Sequence, residues 1–167
     1  MKKTLIIALS CLAILFAACK KPVEPTPLEV DYAVEYVGNY LGQFTLTITS
    51  MNNQPQTGMS FPIDSITMRI AKADADNVIT ASVAIENEVY QATGRATAEK
   101  IEFDAIPLNL EKPDFTIEGT LELEGTKDRD MLHITGNFSG SGTASIMGQE
   151  QSFEEVSGTV NGNLTKQ

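Results

Sequence analysis

The stretch Phe115-Thr116-Ile117-Glu118-Gly119-Thr120-Leu121-Glu122-Leu123-Glu124 decides the fold. Apolar or small residues alternate with threonine and glutamate throughout. Successive side chains of an extended strand point to opposite faces, so this period of two builds one apolar and one polar face. A helix would instead repeat its apolar residues at spacings of three and four.

The same alternation recurs on both sides of that stretch. Phe44, Leu46 and Ile48 alternate with Thr45, Thr47 and Thr49. Ile66, Met68 and Ile70 alternate with Thr67 and Arg69. Val156, Gly158, Val160, Gly162 and Leu164 alternate with Ser157, Thr159, Asn161 and Asn163. Threonine suits the solvent face of a strand. No long stretch has helical spacing. Turn chemistry separates the runs at Asn52 to Pro62, Asp74 to Asn77, Glu86-Asn87, Glu99-Lys100, Glu111 to Pro113, Thr126 to Asp130 and Gly148-Gln149. The reading predicts eight strands near 36–50, 63–72, 78–86, 88–98, 101–110, 114–125, 131–147 and 151–165.

Short sequential connections favour antiparallel neighbours, and closing the sheet removes exposed edges. The expected fold is therefore all-β, an eight-stranded antiparallel up-and-down barrel, with a stacked sandwich as the alternative. The body has neither cysteine nor tryptophan, so an immunoglobulin signature is missing. A membrane-spanning barrel would turn apolar residues outward and polar residues inward.

The chain begins with Met1-Lys2-Lys3, followed by an apolar run from Leu5 to Ala18. That run is short for a membrane helix, which needs about 20 apolar residues. A basic start, a short apolar stretch and small residues at its end describe a secretory signal peptide over 1–18. Leu15-Phe16-Ala17-Ala18-Cys19 resembles the lipobox of bacterial lipoproteins, with Phe16 in place of the usual aliphatic residue. The resemblance implies lipid attachment at the Cys19 thiol, palmitate being one such chain, and cleavage before it. An ordinary signal peptide with an incidental cysteine is the alternative. Of the 2 cysteines, Cys11 lies inside the signal. Removal of the first 18 of 167 residues leaves 149 and a single cysteine, so no intramolecular disulfide can form. One lipid chain binds a membrane marginally, whereas two or more hold it stably.

Residues 19–35 read as a lipidated N-terminus and tether, in which Pro22, Pro25 and Pro27 favour extended chain. Residues 30–35 fit either the end of the tether or a short element capping the barrel. The barrel domain is expected over 36–167. Loss of Lys2 and Lys3 takes the formal charge from −10 to −12. Nucleic-acid binding draws on basic patches, so no nucleic acid is expected as a partner. Anionic head groups should repel such a body, which makes an N-terminal lipid the expected link to the membrane.

Val37-Gly38-Asn39-Tyr40 resembles the Gly-x-Trp opening of the calycin superfamily, with tyrosine for tryptophan. Gly42-Gln43-Phe44-Thr45-Leu46-Thr47-Ile48 and the glycine-punctuated end, Gly136 to Gly162, are similar to small calycin-like (lipocalin-like) β-barrel lipoproteins of anaerobic Gram-negative bacteria. The resemblance covers about residues 36–165. It implies an eight-stranded barrel at the cell envelope. Lys20, not aspartate, follows Cys19, and only Glu24 is an acid close by. These point to the outer membrane, on its periplasmic face.

Gly119, Gly136, Gly140, Gly158 and Gly162 fall in register with the inward apolar residues. Inward glycines either leave volume for a ligand or permit bends and close packing. A pocket would be lined by Tyr40, Phe44, Met68, Phe103, Phe115, Leu121, Leu132 and Phe138, and would take a small apolar or amphipathic ligand. A structural or protein-interaction barrel with a solid core is the alternative.

Other candidates are weaker. His133, the single histidine, should point outward between Leu132 and Ile134. Met68, Met131 and Met147 read as core filler rather than haem ligands. Asp74-Ala75-Asp76-Asn77 has three oxygen side chains but lacks the glycine and late glutamate of a calcium loop. Glu102, Asp104, Glu118, Glu122 and Glu124 form an acidic outer stripe. Gly140-Ser141-Gly142 has no histidine partner, and no zinc spacing or phosphate loop occurs. A non-enzyme without cofactors or metals is expected. Asp64-Ser65-Ile66 resembles the Asp-Ser/Thr-aliphatic sequon for periplasmic O-glycosylation in some anaerobic Gram-negative bacteria, which would place a glycan on Ser65.

Overall fold

The computed structural model describes residues 30–85, 88–113, 115–146 and 149–167. The expected signal peptide, Cys19, the expected tether to residue 29, the expected turn at Glu86-Asn87, Met147 and Gly148 lie outside the described residues. The elements are α1 (Ala33–Tyr36), β1 (Gly38–Met51), β2 (Gln54–Lys72), β3 (Val78–Ile85), β4 (Glu88–Ala96), β5 (Ile101–Phe103), β6 (Ile106–Lys112), β7 (Phe115–Asp128), β8 (Met131–Ile146) and β9 (Gln149–Lys166).

The strands form one antiparallel sheet in the order β5-β4-β3-β2-β1-β9-β8-β7-β6, and β5 returns to pair with β7. β5 meets Glu124 and Gly125 of β7, while β6 meets Phe115 to Leu121 on the same strand. They are thus one barrel strand interrupted at Asp104-Ala105. Eight strands close the barrel, as the alternation predicts. The inward faces are those read from the sequence: Phe44, Leu46 and Ile48 of β1, Ile66, Met68 and Ile70 of β2, and Val156, Val160 and Leu164 of β9 are all buried. Burying one such side chain contributes roughly 1.5–3 kcal/mol. The inward triplet of a single strand therefore contributes about as much as the net stability of a typical domain, roughly 5–15 kcal/mol.

Two boundaries differ from expectation. The stretch Asn52 to Pro62 is a turn only at Asn52-Asn53, where φ values of 46° and 61° supply the left-handed pair that a tight hairpin needs. β2 begins immediately afterwards. Among the described residues it pairs with β3 only from Thr67 onward, so Gln54 to Ile66 has β1 as its single described partner. Pro55 and Pro62 are tolerated there because one edge of the strand demands no donor. The second difference is at the N-terminus. The compact body begins at Asp31, not at 36. Ala33 and Tyr36 of α1 are buried, so this segment caps the barrel.

The cap is held by side chains that a loop can supply. Asp31 Oδ1 accepts hydrogen bonds from the Ala33 N–H at 3.2 Å and the Asn77 N–H at 2.9 Å. Its carboxylate also pairs with Lys72. Asn77 Oδ1 accepts from the Tyr32 N–H at 2.7 Å. The buried Tyr40 hydroxyl donates to the Tyr36 carbonyl at 2.8 Å. This end is called the closed end; the β1–β2 turn and the start of β7 lie at the opposite, open end.

Two irregularities mark the wall. Ser65 has φ 59° where the β1–β2 register slips between Gly42 and Phe44, a bulge that bends β2. β4 pairs with β5 only at Gly94 to Ala96, so its first half and β6 form no ladder with each other. The Tyr90 hydroxyl bridges that seam. It accepts from the Asn109 N–H at 3.3 Å, and its own proton has Glu88 Oε2 at 2.5 Å and the Asn109 carbonyl at 3.1 Å as acceptors. Among the described residues, no helix is long and apolar enough to cross a membrane.

Candidate functional site

The eight residues expected to line a pocket lie in different surroundings. Tyr40, Phe44, Met68, Phe103, Leu121, Leu132 and Phe138 belong to a continuous buried core. Phe103 borders a groove on the outside of the wall. Phe115 reaches an apolar void at the open end.

The inward glycines explain why the core is filled. Gly162 pairs with Phe44 across β9 and β1. A Cβ added at Gly162 would run into Phe44 Cδ1 and Cε1. At Gly119 an added Cβ would lie 2.8 Å from Phe138 Cε2. At Gly136 it would lie 2.8 Å from Leu123 Cδ2. The large side chains thus lie over their neighbours' missing ones, and the glycines let strands and rings approach closely rather than leave space.

The open end has a different character. A void of about 20 Å³ is bordered by Met51, Met59, Phe61, Phe115 and Phe153, with Ile48, Ile117 and Val156 beneath. Phe61 and Phe115 hold their ring centroids 4.2 Å apart. A methionine-and-aromatic rim is adaptable. Of this rim the sequence reading singled out Phe115 alone. Met59, Phe61 and Ile63 carry the period-two signal, but Gly58 and Pro62 mask it as a turn.

The large concavities lie on the outer wall. One groove of about 800 Å³ is flanked by Gln43, Thr45, Asp64, His133, Asn161 and Asn163. A second of about 730 Å³ includes Glu122, Glu124, Asn137 and Thr159. Both include Thr135 and Asn161, where they meet. His133 points outward as expected, and its Nδ1 lies 2.6 Å from Asn163 Oδ1.

The other candidates have structural partners. In the 74–77 turn, Asp76 pairs with Lys72 at 3.5 Å. Asn77, at φ 60°, has its side-chain Oδ1 taken up by the cap. Among the described residues, no group of three or more His, Cys, Asp or Glu is arranged to hold a metal. In the acidic stripe, Lys100 Nζ bridges Glu102 at 2.7 Å and Glu124 at 2.8 Å. These bonds hold the Lys100 ammonium well above its ordinary range, and Lys100 lowers the Glu124 carboxyl. Met68 is core, and Met131 is exposed. Asp64 and Ser65 are both exposed on the bulge.

No family model matches the chain. No curated protein matches it either. The crystal structure of a protein of unknown function from the DUF3598 family of Nostoc punctiforme is similar at 16% identity and a TM-score of 0.35. The match covers 88% of this chain and 53% of that one, so this chain spans about half its length.

Proposed function

We propose that this protein is a lipid-anchored cell-envelope barrel that acts as an interaction or structural module, with no deep small-molecule site. One observation carries the reading: the interior is packed, and the void at its open end, about 20 Å³, is far below the roughly 300–1,000 Å³ of a ligand pocket. The anchor reading rests on Cys19 and its preceding residues, together with an acidic body whose described part offers no membrane-spanning helix. The proposed location is the periplasmic face of the outer membrane. Contact with a partner falls to the outer wall, where the two grooves meet at Thr135 and Asn161.

Titration with an environment-sensitive apolar dye and with a fatty acid tests the solid core. No saturable signal is expected. Saturable one-site binding would overturn this reading in favour of the apolar ligand. A specific observation favours that second reading at one place: the half-buried rim of Met51, Met59, Phe61, Phe115 and Phe153. There, a ligand would have to part Phe61 from Phe115, and Phe115→Ala would change its affinity.

A further inference from the structure

We infer that the closed end of the barrel is a lipid-contacting face, which rests on the membrane surface and turns the open end outward. Two independent distributions lead to this. The first is apolar. Among the described residues from Asp31 onward, the exposed large apolar side chains are Val34, Val37, Leu41, Val89 and Met131. Four of the five are at the closed end. Val34 belongs to α1 and Val37 directly precedes β1. Leu41 and Met131 both pair with Thr165 of β9, which puts them in one outward row. Val89 alone is near the open end. Solvent-facing apolar side chains are ordinary when scattered, but a grouping at one end marks a contact surface.

The second distribution is charge. Eight cations lie between Asp31 and Gln167: Arg69, Lys72, Arg95, Lys100, Lys112, Lys127, Arg129 and Lys166. All but Lys112 are on strand segments and turns towards the closed end. Asp31, Glu35, Asp74, Asp76, Glu99, Glu102, Glu124, Asp128 and Asp130 lie at the same end, so charge there is close to balanced. The open end sets Lys112 against Glu88, Glu111, Glu150, Glu154 and Glu155 among the described residues. Anionic head groups repel such an acidic rim and admit a balanced, partly apolar one. The compact body also begins at the closed end, where Asp31 accepts from the Asn77 N–H. A bilayer surface is therefore the occupant that charge, exposed apolar groups and the start of the body all fit.

The inference takes the tether of the proposed function as its starting point, and its test separates the two. The chain has no tryptophan, so a single introduced one is a local reporter. The mature chain, beginning at Cys19, is coupled through that thiol to vesicles of phosphatidylethanolamine and phosphatidylglycerol carrying a maleimide lipid. Attachment then does not depend on processing in the cell. Met131→Trp, Leu41→Trp and Val89→Trp are compared with brominated lipid as quencher, after circular dichroism shows the same fold for each. Quenching about threefold or more stronger at 131 and 41 than at 89 is expected, since an interfacial face enters the boundary region by about 5–10 Å. Equal or stronger quenching at 89, or none at 131 and 41, overturns the inference. The anchor itself is read separately, from the intact mass of the native protein.

Discussion

Gly162→Ala is the sharpest perturbation of the packed interior. The added methyl would overlap Phe44 Cδ1 and Cε1 and lie 2.6 Å from the Gln43 carbonyl oxygen. Leu46, next on the inward face of β1, and Ile134, opposite Gly162 on β8, are themselves fully buried. Overpacking of this kind costs about 1–3 kcal/mol. Against it stands a gain of roughly 0.5–1 kcal/mol for replacing glycine in a strand. The net expectation is a loss of about 1–2 kcal/mol. For a body of this size that corresponds to a fall in Tm of about 3–8 °C. Thermal and urea unfolding followed by circular dichroism would measure it. Adding Phe44→Leu, which withdraws the ring edge, should recover part of the loss, a coupling the double-mutant cycle reads directly. A Gly162→Ala protein as stable as the parent would refute the reasoning, because slack would then exist where the core is held to be solid.

Other outcomes follow from the cap and the termini. Tyr40→Phe leaves the Tyr36 carbonyl without its buried donor, so a loss of about 1–2 kcal/mol in urea unfolding is expected; an unchanged midpoint would remove the hydroxyl from the account. Asp31 is held below its ordinary 3.8 by the Lys72 hydrogen bond and then by the Asn77 N–H. Its contribution is therefore present above that value and lost as pH falls through the lower folded value, while Asp31→Asn should melt lower at pH 7 and show a flatter acid limb. Burial, then Asp130 and Tyr36, raises the Tyr40 phenol above 10.0, so a further contribution should fade as alkaline pH passes the folded value. Cys19→Ser should move the protein from the membrane to the soluble fraction of envelope preparations. Intact mass of the native chain should show the lipid and, if Ser65 carries a glycan, an increment that Ser65→Ala abolishes.

The strand count was legible because alternation is a local signal, readable wherever one face is buried. Phe115 to Glu124 carried it most plainly. It failed at Met59 to Ile63, where the same alternation is present but Pro62 argues for a loop. Only the absence of β3 beside that part of β2 makes the proline harmless, and that absence is a tertiary fact. The interior was half legible for a related reason. Period two shows that Gly162 points inward, but not what it meets. Phe44 lies opposite only because strands from the two ends of the chain are neighbours. The cap was hidden in short polar residues: nothing local ties Asp31 to Lys72 and Asn77.

The pairing of β1 with β9 also has a consequence in time. β1 is the first strand to be made, and one of its two partners is the last. Until Leu164 arrives beside Gly42, one edge of β1 has no permanent neighbour, and no shorter chain can complete the circle. Contacts this distant along the sequence make for folding in milliseconds to seconds rather than microseconds. A protein captured at its N-terminus by the membrane would therefore spend its earliest moments attached but incomplete, waiting for its own C-terminus.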